Sequence, residues 1–98
     1  MKIRILESAK RDLINGFRFY EDQSSGLGDY FLDSLFSDID SLLVYAGIHP
    51  IKFNEYHCMF SKRFPFAVYY TLKGEMISVE AVLDCRQNPK GTIDRLVE

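Results

Sequence analysis

The sequence predicts an α+β fold: an N-terminal strand, a helical hairpin and a three-stranded antiparallel meander, with the helices on one face of the sheet. Three observations carry this. Apolar residues recur at helical spacing between Ala9 and Leu43, then at a period of two after Pro50. Gly- and Ser-rich breaks fall between the periodic segments, at Ser24-Ser25-Gly26, Gly47 and Lys73-Gly74. With 98 residues, 47% of them hydrophobic, the chain holds enough apolar surface for one core, so a single domain over residues 1–98 is expected.

Residues 3–6 (IRIL) read as a short strand. Ser8 is a candidate N-cap for a helix whose apolar stripe is Ala9, Leu13, Phe17 and Tyr20, and Ser24-Ser25-Gly26 ends it. A second helix is expected from Gly28 to Tyr45. Phe31, Leu35, Ile39 and Leu42 form its apolar row, widened by Leu32, Phe36 and Leu43, and Asp29, Asp33, Ser37 and Asp40 form the opposite row. Strands are expected at 53–60, 64–72 and 75–85. A two-residue loop at Lys73-Gly74 pairs Tyr70 with Ile77, Val68 with Val79, Phe66 with Ala81 and Phe64 with Leu83 on the core face. The open face then carries Tyr69, Ala67, Glu80, Val82 and a cross-strand Arg63–Asp84 pair. A loop at Ser61-Lys62-Arg63 directs Tyr56, Cys58 and Phe60 inward and Glu55, His57 and Met59 outward, with His57 opposite Ala67. Pro65 is expected at a bulge or edge. A turn at Asn88–Gly91 and a helical turn over 92–98 complete the chain.

Charge excludes some functions. Lys and Arg total 12 against 14 Asp and Glu, a net charge of −2, whereas a domain whose whole surface grips nucleic acid is usually strongly basic. The composition also excludes intrinsic disorder. The first ten residues carry four charges and no apolar h-region, and the longest apolar run, 42–48, is far short of a membrane span, so a cytoplasmic location without membrane contact is expected. Cys58 and Cys85 fall on strands separated by a third. That is too far for a disulfide, and free thiols are expected.

Several segments are similar in order and spacing to the RelE/ParE toxin family of type II toxin–antitoxin modules. They are Ala9…Asp12-Leu13…Tyr20, Gly26-Leu27-Gly28…Phe31…Leu35, Arg63-Phe64-Pro65-Phe66, Val68-Tyr69-Tyr70, and Ala81-Val82…Arg86…Pro89. The resemblance, to the ParE-like branch in particular, implies a growth-inhibiting toxin of the kind linked to plasmid stabilisation, neutralised by a cognate antitoxin that wraps it with a helix and an extended segment. ParE-like members bind DNA gyrase. RelE-like members cut mRNA in the ribosome without a metal. Other members have lost toxicity and survive as interaction modules.

Cleaving RNA requires deprotonating a 2′-OH, neutralising the phosphate and protonating the leaving oxygen. The chain departs from the cleaving pattern where Ala67 stands for an Arg, Asp84 for a His and Gln87 for a second Arg, and no His or Tyr follows Pro89. The resemblance therefore favours a toxin that binds its target, most plausibly DNA gyrase, over the ribosome-dependent endoribonuclease. Lys62, Arg63, Arg86 and Lys90 gather at one end of the sheet as a contact patch for target or antitoxin. Tyr69 on the open face is a stacking candidate. In the ribonuclease alternative, Arg63 and Arg86 would be catalytic. The plain alternative is that Arg63 pairs with Asp84 and the remaining cations are solvated.

His57 with Glu80 falls short of a metal site, since zinc takes three or four ligands. No phosphate loop, metal spacing or nucleophilic triad occurs, so neither metal nor cofactor is expected. A homodimer is possible in the absence of the antitoxin.

Overall fold

The computed structural model describes residues 1–97. Its elements are β1 (Lys2–Ile5), α1 (Glu7–Gln23), α2 (Leu27–Asp40), α3 (Leu42–Tyr45), β2 (Ile51–Lys52), β3 (Tyr56–Phe60), β4 (Phe66–Lys73), β5 (Met76–Asp84) and α4 (Pro89–Val97). The sheet runs β1-β5-β4-β3-β2, with β1 parallel to β5 and the other pairs antiparallel. The expected fold class stands, but the sheet is mixed and has five strands.

The helical hairpin packs as expected. Ala9, Leu13 and Tyr20 of α1 and Phe31, Leu35 and Ile39 of α2 bury against Val68, Tyr70, Ile77 and Val79. The helices approach closely at Gly16, where an added Cβ would lie 2.5 Å from Phe31 Cζ. The second helix is interrupted at Ser41, whose hydroxyl donates to the Asp38 carbonyl at 2.5 Å. That bond takes a carbonyl the helix would otherwise use. Ser8 does not cap α1. Leu6 holds the N-cap position without a side-chain bond, and the Ser8 hydroxyl donates instead to the Glu80 carbonyl, 2.9 Å away.

That contact marks the main departure from the expected register. The β4–β5 loop is Gly74-Glu75, with Lys73 opposite Met76, Tyr70 opposite Val79 and Gly74 at φ +59°. This is a two-residue slip, so each side chain keeps its face. Between Tyr69 and Tyr70 the register then shifts, because Glu80 is an extra residue on β5. A bulge reverses the alternation beyond it. Val82 therefore enters the core, while Ala81 and Leu83, expected inside, join Cys58, Ala67 and Tyr69 in a second cluster on the other face.

The β3–β4 connection is longer than expected and spans 61–65. Phe64 tucks into an aromatic group with Tyr20 and Phe31, with ring centroids 4.8 and 5.1 Å away, and so stays out of the strand. Pro65 has no N–H to give a ladder; it precedes β4, and its carbonyl accepts from Cys85 N at 2.8 Å. Met59 consequently faces Val68 in the core and Cys58 faces Tyr69 outside it, the reverse of the expected order. Residues 53–55, read as strand, are a turn with Phe53 and Asn54 at positive φ, and Ile51–Lys52 make a short additional strand.

α4 starts at Pro89, replacing the expected turn, and Leu96 packs into the second cluster. The outer face of the sheet is therefore partly covered rather than open. The expected helix over 92–98 lies within α4 except for residue 98, which is outside the described residues.

Candidate functional site

The end of the sheet where β4 begins and β5 finishes gathers most of the predicted patch. Phe66 pairs with Asp84 there, and the Cys85–Pro65 hydrogen bond sets the 61–65 loop beside the chain leaving β5. Lys62 and Arg63 sit on that loop, Arg86 follows β5, and Lys90 lies in the first turn of α4. Among the described residues, the side chains of Lys62, Arg63 and Lys90 make no ion pair. The loop is anchored from α2: buried Asp38 accepts from Ser61 Oγ at 2.7 Å and from Lys62 N at 3.4 Å.

Arg86 is not a free cation. Its Nε donates to Asp84 Oδ1 at 3.0 Å and its Nη2 to Asp84 Oδ2 at 2.8 Å, and its backbone N–H also reaches Oδ1. Nη2 further donates to Tyr20 Oη at 3.3 Å, and the guanidinium lies over the Phe19 ring at 6.0 Å. These hydrogen bonds from Arg86 hold the Asp84 carboxyl below its ordinary range and push the guanidinium up. The expected Arg63–Asp84 pair is thus replaced by Asp84–Arg86, because strand pairing sets Asp84 opposite Phe66. Residues i and i+2 of an extended chain share a face, so the Asp84-Cys85-Arg86 spacing already held this signal. Nothing in the sequence marked Tyr20 or Phe19 as partners. A cleft of about 290 Å³ runs beside the pair, with Asp12, Asn15, Phe19, Asp84, Gln87 and Arg95 among its lining.

Tyr69 is not presented to solvent. It is 7% exposed in the second cluster, and burial pushes its phenol up to about 12, so it is a packed residue rather than a stacking platform. Ala67, 1% exposed in the same cluster, occupies the place where the resembled family often carries Arg. A guanidinium there would need room that the buried cluster does not leave. His57 is opposite Tyr70, not Ala67, and stacks on its ring at 5.0 Å. Glu80 accepts from Thr71 on the other face, so His57 and Glu80 are not brought together.

A second feature escaped the sequence. Asp12 on α1 accepts Val82 N–H at 2.9 Å, just past the bulge, and takes both Arg95 guanidinium nitrogens at 2.8 Å. This one carboxylate ties α1, β5 and α4 together. Among the described residues, no group of three or more His, Cys, Asp or Glu could hold a metal ion. Both cysteines are free thiols, and no described helix is long and apolar enough to cross a membrane. Lys62, Arg63 and Lys90 leave cationic surface beside the closed Asp84–Arg86 pair.

No protein-family model matches the sequence, and no curated protein matches it. The fold does match a solved structure described as a chromosomal ParDE TA system from P. aeruginosa. The TM-score is 0.71 at 16% identity, covering 84% of this chain and 92% of that one.

Proposed function

We propose that this chain is the toxin component of a type II toxin–antitoxin module, acting in the cytoplasm by binding an essential target, DNA gyrase. The observation that carries the toxin reading is the fold shared, over most of both chains, with a chain from a ParDE toxin–antitoxin system. Binding rather than cleavage is favoured by the sheet end itself. Arg86 is held by Asp84, Ala67 is buried in the cluster that includes Leu96 of α4, and among the described residues Lys62, Arg63 and Lys90 make no ion pair.

A cognate antitoxin is favoured by a second surface. Residues 41–51 carry no Asp, Glu, Lys or Arg. They expose Leu43, Val44, Tyr45, Ile48 and Ile51, at 51, 77, 54, 71 and 59%, beside the short edge strand β2. Edges and apolar faces of this kind are covered by strand addition or an amphipathic segment. Without the antitoxin the same surface would favour a homodimer.

The test is induced expression without the antitoxin, followed by a supercoiling assay on the purified protein. Growth arrest with blocked gyrase supports the reading. Codon-specific cuts in translated mRNA, abolished by Arg86→Ala, would replace it with the ribonuclease. Unimpaired growth with folded, soluble protein would leave a non-toxic interaction module.

A further inference from the structure

We infer that Asp84 is a specificity determinant against nucleic acid: an internal counter-anion that occupies the Arg86 fork and keeps phosphate off the sheet end. This rests on the reading of that end as a protein-contact patch and names what excludes the competing ligand.

The Nε–Nη2 side of the Arg86 guanidinium, which would grip a phosphate bidentately, is already filled, and among the described residues Nη1 alone makes no hydrogen bond. Asp84 takes Nε and Nη2, and Tyr20 Oη shares Nη2. Asp84 is well held in turn, with 15% of its side chain exposed and Arg86 N–H also donating to it. An arriving phosphate must therefore either displace a carboxylate, leaving that charge with little access to water, or bind beside it. Both options are unfavourable for a second anion. Unlike a phosphate backbone, a protein partner can meet the outer rim of the pair through neutral donors or through its own cation against Asp84. Among the described residues Lys62 and Arg63 stand on the adjacent loop without ion-pair partners, so freeing Arg86 would add its charge beside theirs.

The experiment measures binding of a fluorescent single-stranded RNA oligonucleotide by anisotropy across a salt series. It compares the wild type, Asp84→Asn, Asp84→Asn/Arg86→Ala and Asp33→Asn. Asp33→Asn makes the same change in net charge on α2, and circular dichroism confirms that each variant is folded. Asp84→Asn is expected to bind about tenfold more tightly than wild type. Its log K against log salt should steepen by about 0.7, the increment for one further phosphate contact on a single strand. The double variant and Asp33→Asn should fall back to the wild-type value. Wild-type affinity in Asp84→Asn, or a gain that persists without Arg86 or appears equally in Asp33→Asn, would overturn the inference. Growth arrest is not read, so failure here is distinct from failure of the toxin reading.

Discussion

Asp12→Ala is expected to be strongly destabilising, and its cost can be worked from three hydrogen bonds. Val82 is 1% exposed, so its amide, left without Asp12 Oδ2, becomes a buried unpaired donor costing about 1–3 kcal/mol. The paired guanidinium of Arg95, 32% exposed on its side chain, loses both partners. Water partly replaces them, so that loss is on the order of 1 kcal/mol. The sum is about 3 kcal/mol, which in a domain of this size lowers Tm by on the order of 15 °C. Asp12→Asn keeps a neutral acceptor for Val82 and should cost about 1 kcal/mol. Arg95→Met keeps the Val82 bond and should cost no more than Asp12→Asn. Urea unfolding of the three variants and a double-mutant cycle measure these terms.

Cysteine labelling gives an independent readout of the same contact. Cys85 is exposed and Cys58 is buried in the cluster that Leu96 covers, so loosening α4 should speed labelling of Cys58 alone. A loss under about 0.5 kcal/mol for Asp12→Ala, or equal losses for Asn and Ala, would show that the carboxylate does not secure the strand past the bulge.

Two further outcomes are expected. Gly16→Ala gains helix propensity, but its Cβ meets Phe31 Cζ at 2.5 Å and Phe31 is fully buried, so stability should fall by about 1–3 kcal/mol in thermal unfolding. Stability should also fall with acid through His49. Gly47 N donates to Tyr70 Oη at 2.9 Å, and Tyr70 in turn bonds His49 Nδ1 at 2.6 Å, which leaves neutral His49 with its proton on Nε2. Burial first, then the His57 charge, lowers the His49 pKa from 6.5, so the folded state favours the neutral ring. Its contribution is full above about pH 6.5 and is lost as pH falls through the lower folded value. Of the other titratable groups nearby, His57 stacks on Tyr70 with its Nδ1 2.8 Å from the His49 carbonyl, Tyr45 is exposed and Lys52 lies over the Phe60 ring. Tm should therefore drop less between pH 7.5 and 5 in His49→Gln than in wild type; equal drops would remove His49 from the acid response.

The helical half was legible in the sequence because it obeys a single period. Ala9, Leu13, Tyr20, Phe31, Leu35 and Ile39 were marked by spacing and lie in the core. The order of the three meander strands and the two-residue β4–β5 connection were readable in kind, though the loop sits one residue later than Gly74 alone suggested. The parallel pairing of β1 was not readable, because nothing within Lys2–Ile5 distinguishes a neighbour in β5 from one elsewhere. The patch was legible as a list of cations. The Asp38 anchor and the Tyr20–Arg86 contact were hidden, since both join residues from different elements.

The bulge explains why the outer face was misjudged, and it links the fold to the proposed function. On alternation alone, Ala81 and Leu83 belong inside and Val82 outside; Glu80 reverses them. The bonds that stabilise this reversal come from α1, through Ser8 to the Glu80 carbonyl and Asp12 to the Val82 amide. No pattern local to β5 could show them. Once Ala81 and Leu83 face outward, that surface is apolar and needs cover, and α4 supplies Leu96, held by Arg95 on the same Asp12. Tyr69 and Ala67, the two positions from which an open face would have met RNA, lie buried in the same cluster. The surface is closed by packing at its centre and by the Asp84–Arg86 pair at its end. Removing one closure should therefore leave the other: Asp84→Asn frees Arg86 but leaves Tyr69 buried in the second cluster.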